Sequence, residues 1–320
     1  MKHLRWGLVG AGDIVVKRVA PALANASRSE LAAVSRRQAD LAEEFAHRFS
    51  VPRWHLSWEE LVRDPEIDAV YVATPVSLHA PVTIAAAEAG KHVLCEKPMA
   101  LSVADCDRMI AAADANGVKL GIAYYRHLYP MILRVKALLA EGAIGTPVVA
   151  QINAFERFDP PADHPRAWFL DPEIAGGGPM FDFGCHRIEV LLHLLGPASA
   201  TGVLTNVAFT RRVEDTAAAI LRFEAGAVAT LTVTHAAVES QDTLHLFGTE
   251  GSIHVPKLNG AELRLVSGGN ELVERHPAPE NLHQPLVQQF VDAVLDGGDP
   301  VVDGRLGREV NQLLAEIYGP

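Results

Sequence analysis

The chain has 320 residues, of which 49% are hydrophobic and 21% charged, and its formal net charge is −11. This composition is typical of a soluble globular protein with room for two cores, and the acidic balance argues against a nucleic-acid-binding protein, whose surface would be basic. Because no run of about 18 apolar residues occurs and no long apolar leader precedes the first strand, we expect neither a membrane span nor a secretion signal.

The first 123 residues alternate between apolar strand runs and helical stretches. Strands are predicted at Leu4–Val9, Leu31–Ser35, Ala69–Ala73, Val93–Cys95 and Val118–Ala123. Helices are predicted between them, from Gly12 to about Ala24, over Ala39–Phe49, from Ser57, over Val82–Ala89, and from Ser102 to about Asn116. Strand–helix repetition of this kind predicts a parallel sheet with helices on both faces.

The pattern changes after Tyr124, where strand runs begin to dominate. A helix is predicted from Pro130 to about Gly142, strands at Thr216–Phe223, Val228–His235, Gln241–Phe247 and Ser252–Val255, and helices at Asp182–Leu195, Leu286–Leu295 and Leu306–Tyr318. Glycine-containing turns between the strand runs predict hairpins. We therefore predict an α/β domain over residues 1–123. Residues 124–320 are predicted to form an α+β domain with an open, mainly antiparallel sheet. The last helix of this second domain is available to pack back on the first domain.

A glycine-rich turn, Gly10-Ala11-Gly12-Asp13-Ile14-Val15, directly follows the first strand. Its two glycines permit a tight turn and the close approach of a pyrophosphate to a helix N-terminus. Val15 stands where a third small residue is usual, so the motif alone is a weak signal. Its position in an alternating domain nevertheless predicts a Rossmann dinucleotide-binding domain, with Gly10, Gly12, Asp13 and Ile14 at the cofactor.

The second predicted strand ends in Ser35-Arg36-Arg37. An NAD site usually carries Asp or Glu at this position, which binds the ribose 2′-hydroxyl. A hydroxyl and two guanidinium groups suit a 2′-phosphate instead. We therefore predict NADP as the cofactor, with NAD as the second choice; the alternative is that the two arginines are an ordinary solvated pair.

A lysine ends the fourth apolar strand run, in the segment Glu96-Lys97-Pro98. Open α/β sheets bind their ligands at the carboxyl ends of the strands, and Pro98 restricts the residue before it to extended geometry. Lys97 is therefore a candidate catalytic residue. The alternative is an ordinary surface lysine, as most lysines are.

A second candidate segment runs from Gly176-Gly177-Gly178 to Asp182 and His186. Residues four apart share a helix face, so both side chains can point at one place, and a glycine run lets a backbone approach a ligand closely. A lysine, a histidine and a carboxylate suit proton transfer at a carbonyl or hydroxyl group. The alternative is a helix cap followed by a buried structural histidine.

These segments, together with Ala73-Thr74-Pro75, His79 and Tyr125-Arg126, resemble the glucose–fructose oxidoreductase, inositol dehydrogenase and rhizopine-catabolism (Gfo/Idh/MocA) superfamily. The resemblance covers nearly the whole chain and looks closest to the 1,5-anhydrofructose reductase and sugar dehydrogenase branches. It implies a second-domain sheet that binds a sugar or polyol substrate on one face and forms a homodimer or homotetramer through the other.

The resemblance also implies roles for particular residues. Lys97 would stabilise charge on the reacting oxygen, His186 would donate or accept its proton, and Asp182 would hold their geometry. The cofactor would be contacted by Thr74, Pro75, His79, Glu96, Lys97 and Arg126. The substrate pocket would be lined by Tyr125, Arg157, Arg166 and Trp168, together with the catalytic set.

Three alternatives compete with a sugar oxidoreductase. The same superfamily contains NADP-binding regulators without catalysis, and dehydrogenases of inositols, dihydrodiols and tetrapyrroles. A metal enzyme with Asp182, His186 and His193 as ligands is a further alternative, although His193 fits the interior of an apolar helix and we predict no metal. The three cysteines lack metal-type spacing, which indicates reduced thiols and a cytoplasmic location.

Overall fold

The computed structural model describes residues 3–319, which divide into two units. The first unit comprises the residues up to Tyr125 together with Pro279–Glu309, and the second comprises Arg126–Ala278 together with the residues from Val310 onward. The first stretch of chain in the first unit thus ends at Tyr125, two residues beyond the predicted domain boundary at 123. Pro279–Glu309, which the sequence analysis placed in the second domain, lies in the first unit.

The first unit is built on a six-stranded sheet in which every pair of neighbouring strands is parallel. The strands are β1 (Leu4–Val9), β2 (Ser29–Ser35), β3 (Arg53–His55), β4 (Ala69–Val72), β5 (His92–Cys95) and β6 (Leu120–Ile122). Their order is β3-β2-β1-β4-β5-β6. All four residues of β4 are buried, as expected for a strand covered on both faces. The predicted parallel sheet is confirmed.

Helices connect these strands. They are a π-helical segment Val15–Val19 continuing into α1 (Ala20–Asn25), α2 (Ala39–Phe49), α3 (Trp58–Arg63), a 3₁₀ turn Val76–Leu78 continuing into α4 (His79–Glu88), and α5 (Val103–Ala115). Ser57 and Ser102 cap α3 and α5 by accepting hydrogen bonds from backbone N–H groups three residues on. Helix α4 begins three residues before its predicted start, and Pro81 lies in its first turn, where a proline is tolerated.

The second unit contains an eight-stranded sheet in the order β14-β13-β12-β11-β7-β10-β9-β8. The strands are β7 (Pro147–Arg157), β8 (Ala198–Thr205), β9 (Thr216–Phe223), β10 (Val228–Thr234), β11 (Ala236–Gly248), β12 (Gly251–Val255), β13 (Glu262–Ser267) and β14 (Asn270–Arg275). Neighbours are antiparallel except β7 and β10, which run parallel. The predicted mainly antiparallel sheet is confirmed.

Side chains alternate across this second sheet, as the strand period of two requires. One face is buried, for example at Ile152, Leu231 and Leu244. The helical elements of the second unit are α6 (Pro130–Ala140), a 3₁₀ turn Ala167–Leu170, α7 (Pro172–Ala175), a π-helical segment Met180–Gly184 and α8 (Cys185–Leu195). The other face exposes residues such as Val203 and Ile220.

Two helices, α9 (Gln284–Asp296) and α10 (Gly304–Tyr318), close the chain. Helix α9 belongs to the first unit, where its Phe290 ring lies 5.4 Å from the ring of Trp6 in β1. Both side chains are fully buried, so apolar burial places this late helix on the first sheet. Within residues 3–319, every helix falls short of the length and apolar character that crossing a bilayer demands.

Candidate active site

The glycine turn after β1 is shaped by close contact with the end of β4. Gly10 has a φ of +94°, and a Cβ atom there would lie 2.5 Å from the carbonyl oxygen of Ala73. A side chain is therefore excluded at Gly10. At Gly12, a Cβ would meet no described atom within 4 Å, so the surface beside this turn is open. The Gly12 carbonyl accepts hydrogen bonds from Val15 and Val16, which begin the π-helical segment.

Two further residues of this turn, Asp13 and Ile14, are exposed to solvent. Asp13 forms an exposed ion pair of 2.8 Å with Lys17. Val15, the departure from the usual small third residue, is fully buried. Val15 is the first residue of a π-helical segment, a local irregularity often found at functional sites.

The end of β2 presents two cations to an open cavity. Ser35 is buried, and its carbonyl oxygen accepts a hydrogen bond from the Gly10 N–H at 3.2 Å. Arg36 and Arg37 follow, and with Gln38 they line a cavity of about 540 Å³. Two of these three lining residues are positively charged, which favours an anionic ligand.

His79 ties together two strand ends. Its Nδ1 lies 2.9 Å from the carbonyl oxygen of Pro98, and its Nε2 lies 3.0 Å from that of Thr74. Burial lowers the pKa of His79. Both ring nitrogens face backbone carbonyls, so His79 helps to position the Thr74 and Pro98 segments. The contact of His79 with the cofactor stays a prediction. Pro75 supports the same segment as the N-cap residue of the turn Val76–Leu78.

Glu96 sits in a buried polar cluster directly before Lys97. It accepts a hydrogen bond of 2.8 Å from the Tyr71 hydroxyl and one of 3.2 Å from the Lys97 backbone N–H. Nε2 of buried His283 lies 3.5 Å from the same carboxylate, and the His283 ring contacts that of Tyr125 at 4.4 Å. Burial acts to raise the pKa of Glu96, but His283, the Lys97 charge and the Tyr71 hydroxyl together outweigh it, so the pKa lies below its usual value.

His283 was not predicted from the sequence, because no local motif marks it and it reaches Glu96 only through the returning segment Pro279–Glu309. The cluster fixes the backbone on which half-buried Lys97 stands. Gly10, Thr74 and Lys97 follow parallel strands directly or within two residues, and Ser35 is the last residue of another parallel strand, β2. They therefore lie along one edge of the sheet, where open α/β sheets bind ligands.

In the second unit, the three glycines before Asp182 make room for protein groups. A Cβ at Gly177 would lie 2.1 Å from the Tyr318 hydroxyl, and one at Gly178 would lie 2.1 Å from the Glu214 carbonyl oxygen. The Glu214 carboxylate accepts hydrogen bonds from the N–H groups of Gly178 and Met180 and from Tyr318. The expectation that this run admits a ligand is therefore replaced: Gly177 and Gly178 admit Tyr318 and Glu214.

Asp182 lies in the π-helical segment Met180–Gly184, and His186 lies in the first turn of α8. His186 is 3% exposed, so it is held within the unit. The predicted continuous α-helix from Asp182 is wrong in its first turn, where the wider π-helical geometry replaces it. The next residue, Arg187, pairs with Asp242 of β11 at 2.5 Å and anchors the start of α8 to the sheet.

Beside Asp182 lie two polar residues that the sequence analysis did not identify, Glu156 and His235. Nε2 of His235 is 3.9 Å from a carboxylate oxygen of each neighbour, Glu156 and Asp182. His235 is completely buried, between the rings of Phe158 and Phe183 at 5.0 and 5.1 Å. The signal in the sequence was alternation: Glu156 and His235 continue the buried positions of β7 and β10.

The residues predicted to line a sugar pocket lie near aromatic rings. The Arg157 guanidinium lies 5.4 Å from the centre of the Phe209 ring, and that of Arg166 lies 4.4 Å from the Phe158 ring. Trp168 is half-buried and stacks on the ring of Phe169 at 3.9 Å. Arg166 and His235 thus contact the same phenylalanine, Phe158.

Arg126 and His193 lie in a different part of the second unit. Arg126 is buried and donates a hydrogen bond to Asn259. His193 contacts the ring of His127 at 3.6 Å, and its Nδ1 lies 3.2 Å from the Lys136 ammonium group. A cation at that distance opposes metal binding at Nδ1, so the structure does not support the alternative in which His193 joins Asp182 and His186 as a metal ligand.

The strand order of the first unit is that of doubly wound dinucleotide-binding sheets, in which the ligand lies where the order reverses, here between β1 and β4. That point carries the Gly10 turn and Thr74, whose buried hydroxyl has no hydrogen-bond partner within residues 3–319. Open space at Gly12, this hydroxyl and the cationic cavity fit a nicotinamide dinucleotide. The class is therefore a dinucleotide-dependent oxidoreductase.

Comparison with known families agrees with this class. Residues 4–124 match an oxidoreductase family with an NAD-binding Rossmann fold, and residues 132–254 match the GFO/IDH/MocA C-terminal domain. The chain belongs to the GFO/IDH/MocA family of NAD(P)-binding oxidoreductases.

Three relatives illustrate the range of the family. The chain is 31% identical to 1,5-anhydro-D-fructose reductase of Ensifer adhaerens, over 95% of this chain and 92% of that protein. It is 30% identical to D-xylose 1-dehydrogenase (NADP(+)) 2 of Haloferax volcanii, over 98% and 96%. A solved levoglucosan dehydrogenase in complex with NADH and levoglucosan superposes with a TM-score of 0.91 at 25% identity, over 99% and 96%. The names of these relatives include both NADP⁺ and NADH.

Proposed function

We propose that the protein transfers a hydride between NADP and one carbon of a sugar or sugar-derived polyol. The observation that carries the proposal is the held position of Lys97, at the ligand-binding edge of a dinucleotide-binding sheet and directly after the buried Glu96 cluster. The sugar substrate is supported by the relatives, whose names include an anhydrofructose reductase, a xylose dehydrogenase and a levoglucosan dehydrogenase.

In this proposal, the bound nicotinamide supplies or accepts the hydride, and residues of the chain manage the oxygen. The Lys97 ammonium group stabilises the negative charge that develops on the reacting oxygen. His186 accepts the hydroxyl proton during oxidation and returns it during reduction, since an imidazole does either near neutral pH. Asp182 positions the proton-carrying groups.

The cofactor preference follows from charge at the end of β2. Arg36 and Arg37 face the open cavity and suit the 2′-phosphate of NADP, with which a guanidinium forms charge-assisted hydrogen bonds. One relative is named for NADP(+) and one solved structure holds NADH, so we attribute the cofactor choice of this chain to its own strand end.

We also propose that the open face of the second sheet joins copies of the chain into a homodimer or homotetramer. Ile220 of β9 stands on this face between Thr201 and Thr230 of the neighbouring strands, and Val203 lies on the same face. The face combines exposed aliphatic residues with β-branched threonines. Such a surface is better suited to contact with a second sheet than to exposure to solvent.

A substrate screen tests the proposed function. The purified protein is assayed with NADP(H) and NAD(H) against aldoses, ketoses, anhydrosugars and inositols, and cofactor binding is measured separately. We expect turnover of at least one sugar-type compound, faster with NADP(H) at low cofactor concentration. Activity confined to aromatic diols or inositols would contradict the sugar assignment. Cofactor binding without turnover of any compound would instead indicate a regulator.

A further inference from the structure

Glu156 and His235 occupy equivalent positions at the ends of two adjacent strands. Strands β7 and β10 are parallel, with Val233 opposite Ala154, so the next residues on the same face are His235 and Glu156. The alternate positions before them are small or apolar and buried, namely Ala150, Ile152 and Ala154 in β7 and Ala229, Leu231 and Val233 in β10. Two columns of core residues therefore end in polar side chains on the face of the sheet that carries Asp182.

The three polar groups surround a small space. The distance from His235 Nε2 is 3.9 Å both to Glu156 Oε1 and to Asp182 Oδ2, and the ligand atoms of all three residues lie within 4.8 Å of one another. A distance of 3.9 Å is too long for a direct hydrogen bond. It leaves room for one oxygen atom at about 2.8 Å from both groups, displaced to one side of the line that joins them.

The hydrogen bonding of His235 determines which nitrogen carries the proton. Its Nδ1 lies 3.2 Å from Nη2 of Arg211, and a guanidinium group only donates. Nδ1 is therefore the acceptor, and the proton of the neutral ring is on Nε2. Burial lowers the pKa of His235 to about 4, and Arg211 acts in the same direction against the opposing charge of Asp182.

This N–H group points into the space between the carboxylates without a partner. Nε2 makes no hydrogen bond to any of residues 3–319. His235 is also 0% exposed, so this nitrogen is buried. A buried polar group without a partner is costly unless a ligand or water satisfies it. The Glu156 side chain is 46% exposed, so the space is reached from solvent on that side.

We propose that Glu156, Asp182 and His235 form a hydroxyl-binding subsite that selects substrates carrying a second hydroxyl near the reacting one. The substrate oxygen accepts a hydrogen bond from His235 Nε2–H and donates its own proton to a carboxylate. A hydroxyl is the group that both accepts and donates at a single atom. This inference rests on the proposed function, because it assigns the specificity of the same site.

A divalent cation is the competing occupant of such a cluster. Two carboxylates and an imidazole are common metal ligands, but a ligating nitrogen needs its lone pair free. Nε2 of His235 carries the proton for as long as Nδ1 accepts from Arg211. The arrangement therefore favours a hydroxyl over a metal ion.

The test measures kcat/KM for an active sugar and for its deoxy analogues, each of which lacks one hydroxyl. Both the wild type and Glu156→Gln are assayed, because this substitution removes the charge of the side chain and keeps its size. With the full sugar, we expect kcat/KM to fall about 10- to 100-fold. With one of the deoxy analogues, the wild type is already weakened and Glu156→Gln causes little further loss. Glu239→Gln, at an exposed position of β11, is the matched control and leaves both values unchanged.

His235→Phe supplies a second variant, which keeps a planar ring and removes the N–H donor. Equal loss on the sugar and on every deoxy analogue in Glu156→Gln would overturn the subsite, and so would an unchanged kcat/KM. Loss of activity on adding EDTA, restored by Mg²⁺ or Zn²⁺, would overturn it in favour of a metal site. In each of these cases the wild type still turns over sugars, so the proposed function stands; no turnover of any sugar would be the failure of that function.

Discussion

Arg36 is the residue on which the cofactor preference depends. It follows buried Ser35, and its own N–H is fixed by the His55 carbonyl oxygen at 3.1 Å, so its side chain starts from a fixed backbone. Replacing Arg36 with Asp should weaken NADPH binding about 10- to 100-fold, since charge-assisted hydrogen bonds are lost and repulsion replaces them. Fluorescence titration with NADPH and NADH measures both affinities.

The same titration should bring NADH in Arg36→Asp to parity with NADPH or better. Arg37→Ala is the comparison variant; Arg37 is more exposed, so a smaller effect is expected. A wild-type protein that binds NADH as tightly as NADPH would show that Arg36 is merely a solvated charge.

In the proposed chemistry, Lys97 stabilises the charge on the reacting oxygen of the substrate and His186 transfers its proton. Lys97→Ala and His186→Ala should each lower kcat by about a hundredfold or more, as loss of a charge-stabilising or proton-transferring group typically does. Steady-state kinetics measures this, and dissociation constants for NADPH should change little. Lys257→Ala, an exposed lysine of the second unit, controls for a general effect of lost charge. Near-normal kcat in either active-site variant would contradict the assignment.

The sequence identified residues with local signals and missed those that come together only by folding. Gly10, Arg36 and Lys97 follow strands that the alternating pattern predicted. Glu214 reaches Gly178 from a different loop, and no spacing rule connects the two. His283 reaches Glu96 through a distant segment in the same way.

At the scale of elements, the loop that leads to Asp182 is held by the close packing of Glu214 against Gly178. Gly178→Ala should destabilise the protein by about 1–3 kcal/mol, because its Cβ would lie 2.1 Å from the carbonyl oxygen of Glu214, a backbone atom. Urea unfolding measures the change in the free energy of unfolding. The control is Gly298→Ala, where the nearest atom to the new Cβ is 3.7 Å away. Equal stabilities of the two variants would mean that the loop relaxes without cost.

Strand β7 shows why part of the second sheet escaped prediction. Its buried positions Ala150, Ile152 and Ala154 alternate with polar Gln151 and Asn153, so the period of two was present. Alanine is a weak strand former, however, and the segment lies far in sequence from its parallel partner β10. Strands were predicted at Thr216–Phe223 and Val228–His235 because a short glycine turn joins them, and the second of these ends one residue earlier, at Thr234.

At the scale of the whole molecule, the open sheet face predicts self-association. Ile220→Lys places a charge on that face, where its neighbours across the strands are Thr201 and Thr230. Sedimentation velocity should show the wild type as a dimer or tetramer and the variant as a smaller species, because burying an unpaired charge is costly. Val301→Lys, an exposed position in the first unit, is the control. A monomeric wild type would contradict the proposed interface.

The division of the first unit into two stretches of chain has a consequence for recombination. A gene fragment ending at Tyr125 encodes β1 to β6 but neither Phe290, which covers Trp6, nor His283, which contacts Glu96. Its product would expose a large aromatic side chain to water and leave the carboxylate before Lys97 without one of its partners. The nucleotide-binding unit of this chain is therefore not transferable to another protein by a single crossover. The returning segment Pro279–Glu309 has to be inherited with the strands it completes.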